Sequence, residues 1–149
     1  MPDEREILII LRDKARSELE FLRAAGADFG LIHADLVREN VLISGNAISM
    51  IDFDDAGFGF RMLDIATALF KNRDEANFVE LQRTLIDGYL EVRPVLRTEI
   101  DTLPLFMALR ALTFMGWAEQ RKDEPGMDVR LDRYKADALS LAADYLHQL

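Results

Sequence analysis

Between residues 33 and 55 the chain carries His33, Asp35, Asn40 and the acidic residues Asp52, Asp54 and Asp55, placed around two short apolar stretches. An amide oxygen and a carboxylate are hard donors. Mg2+ usually takes one or two such protein ligands and completes its shell with water and phosphate oxygens. The sequence has a means of bringing two of them together. Val41-Leu42-Ile43 and the run from Ala47 to Phe53 flank Ser44-Gly45-Asn46, and Gly-Asn suits the positive φ angles of a hairpin turn. A two-residue turn pairs Ser44 with Ala47 and, continued outward, sets Asn40 opposite Ile51, one residue from Asp52. A three-residue turn sets Asn40 opposite Asp52 itself. Directly opposed residues lie about 4.5–5.5 Å apart at Cα, so either register delivers both groups to one end of the hairpin. Asp35 lies in the loop that feeds this end and could project over it. A cation held by an amide and a carboxylate, with a further carboxylate beside it, matches what phosphoryl transfer to a hydroxyl requires. Phosphate charge is neutralised, and the acceptor is oriented and relieved of its proton.

The order and spacing of these residues also carry a resemblance. The segment from His33 through Asp35 to Asn40 resembles the H-x-D-x-x-x-x-N catalytic loop of the aminoglycoside phosphotransferase and choline kinase family, distant relatives of protein kinases. Ile51-Asp52-Phe53-Asp54 resembles the family's counterpart of the kinase D-F-G motif, and Asp64-Ile65-Ala66 a third signature that opens a helix. The wording of the stretch is most similar to the homoserine-kinase-like and stress-response-kinase-like branch. The resemblance implies ATP and Mg2+ as cofactors, with Asn40 and Asp52 as the metal and nucleotide-phosphate ligands. It implies Asp35 as catalytic base or orienter of the acceptor hydroxyl, and His33 as a packing and hydrogen-bonding residue of the loop. Asp64 would brace that loop through backbone N–H groups, cap its own helix, or do both. Asp54 either assists the metal, as alternation along an extended chain would allow, or is a solvated turn carboxylate. Arg38, Arg61 and Lys71 are near enough to meet phosphate, although surface solvation is the simpler reading of each.

These motifs need a scaffold. Ile7, Leu8, Leu11, Ala15, Leu19 and Leu22 recur at helical spacing, which predicts a helix over about 3–25 ended by Gly26. Helices are predicted again near 64–71, 74–91, 98–121 and 128–148, separated by Pro94 and by Pro125-Gly126. Residues 56–60, with two glycines, read as a loop. Phe106, Phe114 and Trp117, with Met107 and Met115, read as core. The expected fold is one domain over 1–149, mainly α with a small β hairpin. It corresponds to a kinase-like C-terminal lobe without the β-rich N-terminal lobe.

Composition narrows the function classes. A chain of 149 residues, half of them hydrophobic, can bury a core, and it contains no cysteine, which excludes thiol nucleophiles and disulfides. A net charge of -9 speaks against nucleic acid as partner. The apolar run from Ile7 to Leu11 is too short to span a membrane, and a cytoplasmic protein is the expectation. The aspartates from Asp52 onward also resemble the start of an aspartyl-phosphate phosphatase motif, but that motif needs a parallel strand and leaves Asp35 and Asn40 unexplained. A calcium loop counted from Asp52 meets Ala56 and Leu63 where ligands are needed.

The family's N-terminal lobe supplies a glycine-rich loop and a strand lysine. Before His33 this sequence offers only Gly26 and Gly30, and Lys14 within the first helix. The expectation is therefore a phosphotransferase lobe that moves the γ-phosphoryl group of ATP to a hydroxyl of an aminoglycoside-, homoserine- or choline-like small molecule. It would be weakly active or inactive alone, and its partner would be a missing N-terminal lobe or a second copy. The alternative is a non-catalytic binding or dimerisation module with the same architecture.

Overall fold

A computed structural model describes residues 3–147. The first helix, α1 (Glu4–Ala24), starts where Asp3 accepts a 2.8 Å hydrogen bond from the Glu6 N–H, leaving one fewer orphan donor in the first turn. It ends where Gly26 turns the chain at φ +77°, as predicted. Four strands follow among the described residues: β1 (Phe29–Ile32), β2 (Val41–Ser44), β3 (Ala47–Met50) and β4 (Gly57–Phe60). The remaining helices are α2 (Met62–Phe70), α3 (Phe78–Val92), α4 (Arg97–Ile100), α5 (Leu103–Glu119) and α6 (Met127–His147). The predicted helical end at 148 lies outside the described residues. None of these helices is long and apolar enough to cross a membrane.

The strands form two antiparallel pairs, β1 with β4 and β2 with β3. In the second pair Ser44 faces Ala47 and Val41 faces Met50, the register of a two-residue turn, with Gly45 at φ +58°. In the first pair Phe29 faces Phe60 and Gly30 faces Gly59. The glycines of this pairing leave space that neighbouring side chains occupy. A Cβ on Gly59 would lie 2.6 Å from Ile32 Cδ1, and one on Gly30 would run into the Arg61 guanidinium.

The expected fold class needs correction at this point. Residues 29–60 hold two sheets rather than one hairpin, so a small β lobe is present early in the chain, not absent. The stretch read as a loop is strand β4. Its Gly-Phe-Gly-Phe sequence hides the strand, because glycine lowers strand propensity, although Gly59 here makes room for the Ile32 side chain of β1. The second arm of the hairpin is shorter than predicted. Asp52 has φ 63°, and a left-handed residue stops the pleat two residues after Met50.

By backbone contacts the chain divides into two compact units, residues 26–103 and residues 1–25 with 104–149. The first unit buries Ile32, Val37, Met62, Ile65, Ala66, Leu69 and Phe70, so α2 supplies most of its interior. In the second unit α1 packs on α6, with Leu11, Ala15 and Leu22 buried on α1, and Ala138, Ala142 and Tyr145 on α6. Small residues on α6 allow that approach. Phe106 and Met107 are buried as expected, whereas Trp117 is 40% exposed beneath the Arg121 guanidinium.

Candidate active site

All the residues singled out between His33 and Asp64 belong to the unit formed by residues 26–103. Strand β1 delivers the chain to His33, and α2 presents Asp64 from its first turn. The Asp64 carboxylate accepts from the His33 N–H at 2.8 Å and from the Ala34 N–H at 2.9 Å. Ala34 itself stands at φ 67°, a conformation that costs a residue with a Cβ roughly 1–2 kcal/mol. Two charge-assisted bonds on adjacent amides offset that cost and fix the turn leading into Asp35.

His33 is buried at 5% exposure and both its ring nitrogens are engaged. Nδ1 accepts the Asp35 N–H at 3.3 Å. Nε2 must therefore carry the proton, and it donates to the Ile51 carbonyl at 2.9 Å. The imidazole is thus a neutral strut between the loop and the far end of β3, with the Phe53 ring 4.5 Å away.

Asn40 is the innermost residue of the short 3-10 turn that leads into β2, at 8% exposure. Its Nδ2 lies 2.9 Å from the Asp35 carbonyl and 3.2 Å from Asp35 Oδ2. Both partners are acceptors, so the amide can face them only through its nitrogen, and the flip ambiguity of asparagine is removed. Oδ1 is then the atom that Asn40 can offer to a cation. Asp35 and Asn40 are in direct contact. Asp52 follows Ile51, whose N–H donates to the Asn40 carbonyl at 3.0 Å while its own carbonyl receives His33. The hairpin end therefore carries Asp52 next to Ile51, which is bonded to both Asn40 and His33. Asp52 is exposed, as are Asp54 and Asp55 in the following turn, closed by the Ala56 N–H on the Phe53 carbonyl at 3.0 Å. The chain is not extended at Asp52, so the alternation that would align Asp54 with it is not present.

The donor set suits a hard divalent ion: an amide oxygen whose orientation is fixed, and an exposed carboxylate. No group of three or more His, Cys, Asp or Glu among the described residues is placed to hold a metal. A cation held by only two such ligands would leave the remainder of its shell to phosphate and water.

Several polar residues nearby escaped sequence reasoning. Asp28, just before β1, accepts from Arg61 Nη1 at 2.6 Å and from Arg93 Nε and Nη2 at 2.6 and 2.7 Å. Tyr89 donates to the same carboxylate at 3.3 Å, and the Asp28 N–H donates to Glu99 Oε2 at 2.7 Å. The Arg93 fork, with Arg61 adding to it, holds the Asp28 carboxyl below the ordinary range against the opposing effect of burial. Burial, then the Asp28 charge, raises the Tyr89 hydroxyl. Arg61 is thus committed to Asp28 rather than solvated. Lys71 reaches Glu39 of the 3-10 turn at 3.2 Å. The Glu39 carboxyl is lowered first by its own backbone N–H and then by Lys71, with burial opposing. No local sequence signal marks the Asp28 partners, which lie 33 to 71 residues away.

Residues 2–98 match the profile of the phosphotransferase enzyme family. The chain belongs to that family. It is 38% identical to a homoserine kinase of Rhizobium johnstonii over 111 residues, covering 70% of this chain and 35% of the relative. It is 34% identical to a homoserine kinase of Agrobacterium fabrum, with 70% and 34% covered. An uncharacterized protein of Deinococcus radiodurans is 33% identical over 132 residues, 85% of this chain and 38% of that one. The chain therefore spans a little over a third of the length of these relatives. Among solved structures, a microcompartment-associated aminopropanol kinase superposes with a TM-score of 0.84 at 29% identity, covering 99% of this chain and 47% of that chain. An amicoumacin kinase shares the fold with a TM-score of 0.72 at 24% identity, over 94% of this chain and 46% of its own.

Proposed function

We propose that the chain carries the phosphoryl-transfer site of a kinase that phosphorylates the hydroxyl of a small amino alcohol. The observation that carries this reading is the Asn40 amide, whose nitrogen is spent on Asp35 and whose oxygen is thereby left as a cation ligand. Mg2+ bound by Asn40 Oδ1 and the Asp52 carboxylate would neutralise the phosphate charge of ATP. Asp35 orients the acceptor hydroxyl and takes its proton as the oxygen attacks. The Asn40 side-chain N–H on Asp35 Oδ2 fixes the carboxylate for that role. His33 contributes no proton, because its Nε2–H is held by Ile51 and its Nδ1 by Asp35 N–H. Asp64 holds the turn that aims Asp35, and Asp54 remains a peripheral carboxylate that can assist through water.

The acceptor class rests on the relatives. Two of the three curated ones are named for homoserine and one of the two solved structures for aminopropanol, each a small molecule carrying both a hydroxyl and an amine. A chain with net charge -9 gives the ammonium group of such a molecule a favourable field, offset in homoserine by its own carboxylate.

The test is ATP-dependent phosphorylation of homoserine, aminopropanol and choline by the purified protein, each against its Asp35→Asn variant. The expected result is transfer to an amino alcohol, lowered by about a thousandfold or more in Asp35→Asn. Transfer that survives Asp35→Asn unchanged would show that another group takes the proton.

A further inference from the structure

We propose that Asp28, through Arg61, is a positioning residue for the loop that carries Asp35. The contacts around β1 close into a ring. Asp28 precedes β1, and at the other end of β1 the chain reaches His33 and Ala34, whose N–H groups are held by Asp64. Asp64 is tied to Arg61 through its own N–H on the Arg61 carbonyl at 3.0 Å, in the first turn of α2. Arg61 returns to Asp28 twice: its backbone N–H donates to the Asp28 carbonyl at 3.1 Å and its guanidinium to the carboxylate. Asp28 and Arg61 thus pin one end of the ring and Asp64 pins the other, with β1 and the start of α2 as the two sides.

The ladder between β1 and β4 sets the register of this ring, and the buried face of α2, with Met62, Ile65, Ala66, Leu69 and Phe70, seats the helix in the core. The direction in which α2 leaves Arg61 decides whether the Asp64 carboxylate reaches both amides. Three contacts add to the core packing at the Arg61 end. The guanidinium lies over Gly30, where a side chain would exclude it. The Arg93 fork holds the shared carboxylate from the C-terminal end of α3, and Glu99 holds the Asp28 N–H from α4. The Asp28 side chain is 13% exposed, so these bonds are little diluted by water.

The consequence for catalysis rests on the site reading given above, whereas the structural coupling does not. Amide hydrogen exchange resolved by residue separates the two. In Asp28→Asn, which keeps the shape and removes the charge, exchange at His33 and Ala34 should rise roughly tenfold, the factor that loss of one net hydrogen bond makes in an opening equilibrium, while Ala66, Leu69 and Phe70 in the same helix change by less than about threefold. Arg93→Lys keeps the charge but removes the fork. It should produce a smaller rise at the same two amides, and it serves where Asp28→Asn lowers the folded population. Unchanged exchange at His33 and Ala34 in both variants would overturn the proposal, as would a uniform rise across α2. If transfer activity is present, Asp28→Asn should lower kcat with KM unchanged. Absence of transfer in the parent protein would count against the site reading alone and leave the exchange result to decide this one.

Discussion

Asp64 does more for the site than its place in a helix suggests. It stands in the first turn of α2, yet both carboxylate oxygens are given to the backbone of another segment, His33 N–H and Ala34 N–H. A capping role would have kept the side chain local, and the sequence left brace and cap open for that reason. Asp64→Ala should destabilise the protein by about 2 kcal/mol, since two partly buried donors lose a charged acceptor, and urea denaturation would measure it. Asp64→Asn retains one acceptor and should cost roughly half as much. Of the residues picked from spacing, Asp35, Asn40 and His33 form one hydrogen-bonded group, with Asp52 adjoining through Ile51. Their motif is contiguous in sequence, and a hairpin register is a local property that a Gly-Asn turn nearly dictates. Asp28 is the opposite case. Its carboxylate matters through Arg61 and Arg93, 33 and 65 residues away, and no periodicity or turn signal reports such a pairing.

Among the elements, β1 and β4 show how glycine can conceal a strand. Gly-Phe-Gly-Phe alternates glycine with phenylalanine rather than polar with apolar, and Phe58 is 81% exposed, so neither face advertises itself. What favours glycine at 59 is the Ile32 side chain across the ladder, a contact visible only after pairing. Gly59→Ala should destabilise by about 1–3 kcal/mol through that overlap, and Ile32→Val, which removes Cδ1, should recover part of the loss in a double-mutant cycle. At the hairpin Gly45→Ala should cost about 1 kcal/mol, because its φ of +58° is strained for any residue with a Cβ while no neighbour obstructs it. The helices over 3–25, 64–71 and 128–148 were legible to within about two residues at each described end. The helix expected over 98–121 is two, α4 and α5, broken by a turn at Asp101-Thr102, and α3 begins at Phe78, four residues after the predicted 74. The left-handed Asp52 was not legible. Aspartate tolerates that conformation, but nothing in Ile51-Asp52-Phe53 demands it.

At the scale of the whole molecule, acid sensitivity and metal–nucleotide binding are the observables. Asp28 is held ionised by two arginines, so its folded-state carboxyl titrates below its unfolded one. Its contribution to stability is present above the unfolded value and is lost as pH falls through the folded value. The acid unfolding limb below about pH 4 should therefore flatten in Asp28→Asn relative to the parent protein. The account as a whole depends on Asn40 and Asp52 sharing a divalent ion while Asp35 stays outside its shell. The direct test is binding of a non-hydrolysable ATP analogue with Mn2+ as a paramagnetic reporter, in the parent protein, Asp52→Ala and Asp35→Asn. The account predicts metal-dependent binding that falls at least about tenfold in Asp52→Ala and is retained in Asp35→Asn. Binding that is indifferent to Asp52, or lost equally in Asp35→Asn, would contradict it.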